Sequence, residues 1–363
     1  MSPSWSVLIL SRHAPKAASS RLRTFQYVPY LEAIGAKVII EPFFDEPYLE
    51  KLYLAGRRNL VDVITAYIRR IRAIFTSNYV SVVWVEKEVF PFLPACAESL
   101  LARFGTPYLV DYDDATFHNY DLHRFGLIRF LLGQKLHPLL RKAVMVTAGN
   151  AYLEAYARSH GATHVLRIPT VVDLSRYPIE PEPPDGELRI GWIGTPETSK
   201  YLNKVRSPLK KLSSLRKIRF VTIGAPPLSD FGVPLEQHSW SENAEAQLLS
   251  SVHVGIMPLP DEPFERGKCG YKLIQYMACG RPIIASPIGV NIDIATPDVG
   301  FIAKNDKDWV NALIQISVDR NLRCRLGSAG RTRVERDYSL QSVAPKVCGV
   351  LSAIARGELG HPR

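Results

Sequence analysis

A basic, glycine-rich turn precedes a predicted helix in the second half of the chain. It holds three cations and two glycines within seven residues: Arg266, Gly267, Lys268, Gly270 and Lys272. The helix is expected over Tyr271–Cys279, and Gly280 suits the left-handed residue that ends a helix. Because such a turn presents free backbone N–H groups and the positive end of a helix dipole, it predicts a phosphate site. A basic loop that is merely solvated would have the same composition.

Carboxylates cluster at the end of a predicted strand in the first half. The strand Tyr108–Asp111 runs into Asp113 and Asp114. Alternation places Asp111 and Asp113 on one side and Asp114 on the other, so Asp113 is the candidate active-site carboxylate and Asp114 a candidate helix N-cap. One run of three aspartates supplies too few well-spread ligands for a metal ion. His118 is a second candidate nearby, and a surface position would explain it equally well.

Two alternations of strands and helices would position these residues. Short apolar runs alternate with amphipathic stretches from Ser6–Leu10 to His164–Ile168, and the scheme repeats from Leu188–Ile193 onwards. This pattern favours an α/β fold with two doubly wound, Rossmann-like lobes that face a cleft and bind ligands at the carboxyl ends of their strands. Three of the longer helices are predicted to be continuous: Arg21–Ile34, Leu127–Leu140 and Asn321–Asp337.

A proline-rich segment divides the chain nearly in half. Residues 178–187 hold four prolines and four carboxylates. Prolines disfavour both helix and central strand, so a hinge is expected here. The lobes would then span residues 1–177 and 188–338, and a C-terminal helix over 339–358 is expected to complete the first lobe.

Composition and missing motifs exclude several classes of protein. The chain has 363 residues, of which 46% are hydrophobic and 22% charged, as in ordinary globular proteins. No apolar run approaches the roughly 18 residues that cross a bilayer, and no secretory signal pattern is visible, so a cytoplasmic location is expected. Five scattered cysteines suit a reducing compartment and show no metal-ligand spacing. Neither lobe has the glycine pattern of a nicotinamide or P-loop nucleotide site.

The charge of the chain predicts an anionic partner. Forty-five Lys and Arg residues against 35 Asp and Glu give a net charge of +10. The basic amphipathic stretches Arg57–Arg72 and His123–Lys142 are typical of helices that contact an anionic membrane surface, and equally of core helices with a solvated basic face. No nucleic-acid module is visible, and aromatic residues do not alternate with the basic runs, so nucleic acid is not an expected partner.

The segment Gly255–Asn291 resembles the donor-binding signature of retaining nucleotide-sugar glycosyltransferases of family four (group 1), which have the two-lobed GT-B fold. The matching text is QYMACGRP from Gln275 to Pro282, continued by Ile283–Ser286. The resemblance implies transfer of a hexosyl group from a nucleotide diphosphate sugar to an acceptor hydroxyl, with retention and with no metal or other cofactor. A saccharide or a lipid-linked glycan in polysaccharide or glycolipid assembly would be the acceptor.

The resemblance also implies roles for two side chains near the donor sugar. Gln275 stands where the family has a glutamate that holds the ribose hydroxyls, and an amide can still make hydrogen bonds there. Glu265 is the candidate catalytic carboxylate beside the transferred sugar, together with Asp113, although it lies two residues earlier than the family spacing.

A third implied element holds the donor pyrophosphate. In the loop after Leu188–Ile193, Lys200 falls on a lysine position of the family and Thr195 on an arginine position, although Lys200 could also be an exposed surface lysine. Because Thr195 is uncharged, we expect Arg266 or Lys268 to replace the missing cation. The predicted donor-binding set is Gly194, Thr195, Lys200, Arg266, Lys268, Gly270, Tyr271, Lys272 and Gln275.

The loop Ser11–Arg23 follows the first predicted strand, where the family contacts the acceptor and the donor. Ser19 and Ser20 are candidate caps of the next helix, and Arg21 is a candidate acceptor contact, as is His118. Two other functions stay open. A sugar-nucleotide epimerase would share the phosphate site but needs a clearer acid/base pair than Asp113. A non-catalytic binder of anionic surfaces or nucleic acid would explain the charge but not the glycine turn.

Overall fold

The chain folds as two α/β units. The computed structural model describes residues 5–48, 51, 60–228 and 231–359. The first unit holds the described residues up to Thr170 and those from Val343 onwards, and the second unit holds Val171–Ser342. The proline-rich segment 178–187 lies within the second unit, and the chain passes from one unit to the other after Thr170 and after Ser342.

The first unit contains a six-stranded parallel sheet in the order β2-β1-β3-β4-β5-β6. Its strands are β1 (Trp5–Leu10), β2 (Ala36–Ile40), β3 (Val82–Glu86), β4 (Tyr108–Tyr112), β5 (Met145–Ala148) and β6 (Val165–Arg167). β3 and β4 are buried along their whole length, as central strands covered on both faces must be. The strand order reverses between β1 and β3, since β2 lies on the other side of β1.

Short helices connect and cover these strands. They are α1 (Ala18–Arg23), α2 (Val28–Ala33), α3 (Leu60–Thr76), α4 (Ala95–Arg103), α5 (His118–Asp121), α6 (Gly126–Leu132), α7 (His137–Lys142) and α8 (Ala151–Ser159).

Two helices that the sequence predicts to be continuous are each broken into two helices in the structure, so these two predictions are wrong. The predicted helix Arg21–Ile34 is broken between α1 and α2, where Thr24 leaves helical geometry and Pro29 stands in the first turn of α2. The predicted helix Leu127–Leu140 is broken between α6 and α7, with Pro138 in the first turn of α7. Proline lacks the N–H that a helix interior needs, so it starts a new helix instead of continuing the old one.

Two predicted caps are also wrong. Helix α1 has Ala17 at its N-cap, so Ser19 and Ser20 lie inside the helix. Helix α5 begins at His118 with Phe117 at its N-cap, and therefore Asp114 caps no helix. The hydroxyl of Ser20 instead accepts a hydrogen bond from the backbone N–H of His13, at 3.1 Å.

The second unit contains another six-stranded parallel sheet, in the order β12-β11-β10-β7-β8-β9. Its strands are β7 (Leu188–Ile193), β8 (Ile218–Ile223), β9 (Leu235–His238), β10 (Val254–Met257), β11 (Ile283–Ala285) and β12 (Gly300–Ile302). Strand β9 is absent from the prediction because it is a short edge strand, LEQH, with one apolar residue. The strand order reverses between β7 and β10.

The helices of the second unit are α9 (Asn203–Ser213), α10 (Glu245–Ser250), α11 (Pro263–Arg266), α12 (Tyr271–Ala278), α13 (Asn291–Ile294), α14 (Asp306–Val318) and α15 (Arg320–Arg333). The last helix, α16 (Leu340–Ala355), lies in the first unit from Val343 onwards. The predicted helix Asn321–Asp337 is α-helical only to Arg333 and continues as a π-helical turn over Val334–Tyr338.

Helix α12 is the centre of one of the hydrophobic clusters of the second unit. Its residues Leu273, Ile274, Tyr276, Met277 and Ala278 are fully buried. The helix ends as predicted, because Gly280 has φ of +68° and the N–H of Arg281 donates to the carbonyl of Tyr276 at 2.9 Å. All five cysteines lie in the described part of the chain, and there none forms a disulfide bond; Cys96 is exposed in the first unit and Cys324 in the second, while Cys269, Cys279 and Cys348 are buried.

Candidate functional site

The predicted donor-binding residues of two separate segments meet at one edge of the second sheet. Because the strand order reverses between β7 and β10, the loops that follow these strands diverge and leave a crevice, which is where open α/β sheets bind ligands. The loop after β7 carries Gly194, Thr195 and a 3₁₀ turn over Pro196–Leu202 that includes Lys200. The loop after β10 carries α11 and the glycine turn that leads into α12.

Lys272 joins these two loops. Its Nζ lies 4.4 Å from the centroid of the Trp192 ring in β7 and 3.4 Å from the hydroxyl of Thr198 in the 3₁₀ turn. A Cβ on Gly194 would lie 2.7 Å from this Nζ and 2.5 Å from the Trp192 ring, so only glycine leaves room for the lysine. Burial, and after it the charge of Lys268, lowers the pKa of Lys272 to about 7.

The glycine turn places a helix N-terminus at the same edge. Gly270 is the N-cap of α12 with φ of +67°, a left-handed conformation that favours glycine. A Cβ at this position would also lie 2.4 Å from Ile294. Tyr271, the first residue of α12, is half-buried. The N-terminus of α12 thus begins directly at the glycine turn, and binding of a phosphate by its first N–H groups stays a prediction.

The predicted cations differ in their surroundings. Lys268 lies with its Nζ 5.0 Å from the centroid of the Phe264 ring, and Lys200 with its Nζ 5.3 Å from that of Tyr201. Arg266 is exposed and donates from Nε to Asp261 Oδ1 at 2.6 Å. Because this ion pair is exposed, it would hold the Arg266 side chain only weakly. Contact of Arg266 with a donor pyrophosphate stays a prediction.

Glu265 and Gln275, the two side chains predicted beside the donor sugar, are buried and form hydrogen bonds with tyrosine hydroxyls. Glu265 is 4% exposed and accepts a hydrogen bond from the hydroxyl of Tyr201. Gln275 is 2% exposed and donates from Nε2 to the hydroxyl of Tyr177 at 3.2 Å. Their contact with a donor stays a prediction.

A second polar cluster lies at the carboxyl edge of the first sheet, where the strand order reverses between β1 and β3. Lys87 follows β3, and its Nζ lies 2.9 Å from Asp113 Oδ1 and 2.8 Å from the hydroxyl of Ser19 in α1. The Ser19 hydroxyl lies 2.7 Å from Asp113 Oδ2 and 3.2 Å from Glu86 Oε1. The predicted carboxylate Asp113 is thus held by a lysine and a serine.

Electrostatics keep both members of the Lys87–Asp113 pair charged. Burial alone would lower the pKa of Lys87, but Asp113, Asp114 and Glu86 outweigh it and raise that pKa above its usual value. Burial alone would raise the pKa of Asp113, but Lys87 and then Arg23 outweigh it and lower that pKa. Asp113 is therefore an ionised carboxylate, which suits a role in orienting a sugar hydroxyl.

Sequence reasoning missed Lys87. It has φ of +67°, which is uncommon for any residue but glycine and costs about 1–3 kcal/mol, a kind of strain that clusters at functional sites. The backbone conformation could not be read from the sequence. A usable signal was present, however, since the charged run Glu86-Lys87-Glu88 directly follows the apolar run Val82–Val85.

The first unit holds three further residues that the sequence analysis names: Asp111, Arg21 and His118. Asp111 forms a buried bidentate pair with Arg23, with N–O distances of 2.8 and 2.6 Å. Arg21 lies half-buried in α1. His118 Nδ1 is 2.8 Å from Asp121 Oδ1 and Nε2 is 2.8 Å from the hydroxyl of Tyr152, so within the described chain both ring nitrogens have protein partners. Acceptor contact by Arg21 or His118 stays a prediction.

Comparison with known sequences finds a family model within the second unit. Residues 189–319 match the family model described as "Glycosyl transferases group 1". A GDP-mannose-dependent alpha-(1-6)-phosphatidylinositol dimannoside mannosyltransferase of Mycobacterium tuberculosis is 26% identical over 214 residues, which is 54% of each chain. The chain therefore spans about half the length of the curated relatives that it matches.

Solved structures share the fold of the chain. A sucrose-phosphate synthase from Thermosynechococcus elongatus has a TM-score of 0.69 and 16% identity, with 97% of this chain and 99% of that chain covered. HepE from Anabaena, solved in complex with UDP-glucose, has a TM-score of 0.69 and 13% identity, with 96% and 100% covered. At such identities the likeness establishes the fold alone.

Fold and family model together define the class of protein. The chain has the two Rossmann-like units of the GT-B fold, as the strand and helix pattern predicts. Residues 189–319 of its second unit match the glycosyl transferases group 1 model, and the Gly255–Asn291 segment lies within that match. The resemblance of that segment to group 1 glycosyltransferases of the GT-B fold is thereby confirmed.

Proposed function

We propose that the protein is a glycosyltransferase that moves a sugar from a nucleotide diphosphate sugar to an acceptor hydroxyl. The observation that carries this proposal is the contact of Lys272, in the first turn of α12, with Trp192 and Thr198 from β7 and the loop that follows it. Lys268 is the charged neighbour of Lys272, and Lys200 lies in the same 3₁₀ turn as Thr198. These residues lie where the strand order of the second sheet reverses, within the residues that match the group 1 glycosyltransferase model. A departing nucleoside diphosphate needs compensating positive charge, and this edge of the sheet supplies both full charges and backbone donors.

The remaining predicted roles follow from the same proposal. Gly194, Thr195 and Tyr271 would contribute backbone contacts to the pyrophosphate. Gln275 and Glu265 would contact the ribose and the transferred sugar, and Asp113 would orient the sugar or the acceptor hydroxyl. Retention of configuration and independence of a metal come from the family resemblance alone.

The donor and acceptor are proposed at the level of chemical class. The mycobacterial relative is named for GDP-mannose and a phosphatidylinositol dimannoside, and HepE was solved with UDP-glucose. GDP-mannose and UDP-glucose are therefore the first donors to test, and the proposed acceptor is a saccharide or a lipid-linked glycan.

The decisive experiment is a donor screen that measures released nucleotide and the sugar product together. A glycosyltransferase releases a nucleoside diphosphate, and its release rate rises with a suitable acceptor. A sugar-nucleotide epimerase would change the sugar without release. Failure of every donor to bind or react, combined with salt-sensitive DNA binding, would overturn the proposal in favour of an anionic-surface or nucleic-acid binder.

A membrane surface is a further proposed partner, supported by exposed apolar side chains. In the described part of the chain, no helix is long and apolar enough to cross a bilayer. Helix α6 nevertheless exposes Leu127, Phe130 and Leu131, with Phe130 85% exposed, and Arg124 precedes it. Helix α3 exposes an apolar stripe formed by Leu60, Val61, Ile64, Ile68, Ile71 and Phe75. The predicted basic stretch Arg57–Arg72 lies partly outside the described residues, which resume at Leu60.

Flotation with vesicles tests the membrane proposal, and with it a peripheral location at the cytoplasmic face of a membrane. We expect flotation with vesicles that contain anionic lipid at low salt, and weaker flotation with neutral vesicles. The double variant F130S/L131S should float less, while L215S, which changes an exposed leucine of the second unit, should float like the wild-type protein. Absence of flotation with anionic vesicles at low salt would overturn this partner.

A further inference from the structure

The sequence analysis assigns the replacement of the cation missing at Thr195 to Arg266 or Lys268, whereas the contacts of Lys272, another member of the predicted donor-binding set, make it a third candidate. Arg266 is exposed and paired with Asp261, as described above. Lys272 instead extends from the first turn of α12 to the loop after β7. Its Nζ reaches the space beside Gly194, the residue that immediately precedes Thr195, and this space exists because Gly194 has no side chain.

Lys272 has no carboxylate partner in the part of the chain that the structure describes. It faces the Trp192 ring from β7 and the Thr198 hydroxyl from the 3₁₀ turn, and neither group carries a charge. Glu197 and Lys200 lie on the same turn, are exposed and form no ion pair with it. The charged neighbour that acts on Lys272 is Lys268, from the glycine turn. A half-buried amine beside another cation is poorly solvated when charged, and an arriving anion would remove that penalty.

We propose that Lys272 is the second pyrophosphate cation of the donor site, and that it takes up a proton from solvent when the donor binds. This inference rests on the proposed function. In this step the neutral amine of Lys272 gains one proton and becomes an ammonium group, and no bond of the donor forms or breaks. Binding of the donor would therefore increase the positive charge of the site that holds its pyrophosphate.

The expected pH dependence follows from the position of Lys272. With a pKa of about 7 in the free protein, Lys272 is mostly charged at pH 6 and mostly neutral at pH 9. A bound pyrophosphate raises the pKa of Lys272. Between the two pKa values, affinity for the donor should fall by up to about tenfold per pH unit as the pH rises, because each binding event must recruit a proton.

A nucleotide sugar is the appropriate probe for this measurement. Its two phosphates are both esterified, so it lacks the second phosphate ionisation at about pH 6 that would make a nucleoside diphosphate titrate by itself. We would measure the Kd of UDP-glucose and of GDP-mannose from pH 6 to pH 9 at fixed ionic strength. Wild-type protein should lose affinity above pH 7. The K272M variant should bind weakly with a flat profile, and the exposed-lysine control K211M should follow the wild-type profile.

Calorimetry in two buffers with different ionisation enthalpies counts the protons directly. We expect uptake of up to about one proton per bound nucleotide sugar near pH 8 for the wild-type protein and none for K272M. In K272R, a permanently charged group should flatten the profile, with thermal unfolding as the check that the guanidinium fits beside Gly194.

The possible outcomes separate the inference from the proposed function. Binding of a nucleotide sugar with a flat pH profile and no proton uptake would overturn the role of Lys272 and leave the proposed function standing. Absence of binding for every nucleotide sugar at every pH would overturn the proposed function and the inference with it. Proton uptake that persists unchanged in K272M would assign the titration to another group and would also overturn the inference.

Discussion

Two lysines have opposite electrostatic environments in this protein. Lys87 is surrounded by carboxylates, which raise its pKa although it is buried. Lys272 has a lysine and an indole ring as neighbours, and burial lowers its pKa. The first lysine is therefore a permanent part of an ion-pair network, whereas the second has a charge that a bound anion can change. A lysine can be a permanent member of an ion pair or a group that changes charge, because its pKa shifts readily with its surroundings.

Removal of Lys87 should destabilise the first unit. The K87M variant leaves the Asp113 carboxylate buried without its ammonium partner, and breaking one side of a buried pair costs about 3–5 kcal/mol of unfolding free energy. The loss should be measured by urea denaturation, with K37M at an exposed position in β2 as the matched control. The double variant K87M/D113N should be less destabilised than the sum of the single variants, because the two residues share one interaction. Additive losses would contradict the pairing.

The depressed pKa of Asp113 predicts a contribution to acid stability. In the unfolded chain an aspartate titrates at about pH 3.9, and in the folded protein Asp113 titrates lower, mainly because Lys87 outweighs the effect of burial. Its contribution is complete above the unfolded pKa and is lost as the pH falls through the folded pKa. The unfolding free energy of the wild-type protein should therefore fall more steeply below about pH 4 than that of D113N. Parallel urea midpoints between pH 5 and pH 3 would argue against it.

At the scale of elements, each candidate site is formed by short loops that follow strands of a parallel sheet. Gly270 allows α12 to start directly at the crevice, and Gly194 allows Lys272 to approach β7. Both sites lie where the strand order of a parallel sheet reverses. The positions of these loops are therefore set by topology, and their chemistry is set by a few residues that the topology brings together.

Alanine substitutions should distinguish structural glycines from dispensable ones. G270A places a side chain in a left-handed conformation and against Ile294, so it should destabilise the second unit by more than about 1 kcal/mol and weaken nucleotide binding. G349A lies inside α16 with open space around its Cβ, and it should stabilise the protein by up to about 1 kcal/mol. Thermal denaturation and nucleotide titration of the two variants test this contrast, and equal effects would refute the role of Gly270.

The sequence predicted the parallel strands well because most of them are continuous apolar runs. Strand β7 was predicted with its observed bounds, Leu188–Ile193. Prediction failed where polar composition hid an edge strand, as at β9, and where proline restarted a helix, as at α2 and α7. The same limits apply to the sites. Composition indicated the glycine turn, but the positive φ of Lys87 and the reach of Lys272 to Gly194 depend on three-dimensional packing.

At the scale of the whole molecule, the basic residues behind the net charge of +10 lie in several different environments. Some basic residues lie at the proposed donor crevice. Others, such as Arg23 and Lys135, are buried within the first unit in ion pairs with Asp111, Glu88 and Glu98. A net charge therefore does not by itself identify a partner, and the position of each cation decides its role.

Nucleotide binding should protect a defined part of the molecule from hydrogen exchange. We expect the greatest added protection in peptides that cover the loop after β7 and the segment from α11 to the first turn of α12, because these supply the proposed pyrophosphate contacts. Saturation at about 100 times the Kd should also add about 2.7 kcal/mol to the unfolding free energy of the bound form. The greatest protection in β4 or its following loop would instead place the nucleotide at the first sheet.

The distribution of thiols makes the native chain suitable for site-directed spectroscopy. Cys96 and Cys324 are exposed, one in each unit, whereas Cys269, Cys279 and Cys348 are buried, which slows their alkylation. Burial also raises the thiol pKa of Cys279 and of Cys348 to about 11. Under mild conditions a maleimide dye or a nitroxide should therefore label one position in each half of the molecule without any engineered cysteine. Energy transfer or dipolar coupling between these labels would then report, in solution, whether a nucleotide sugar changes the distance between the two halves.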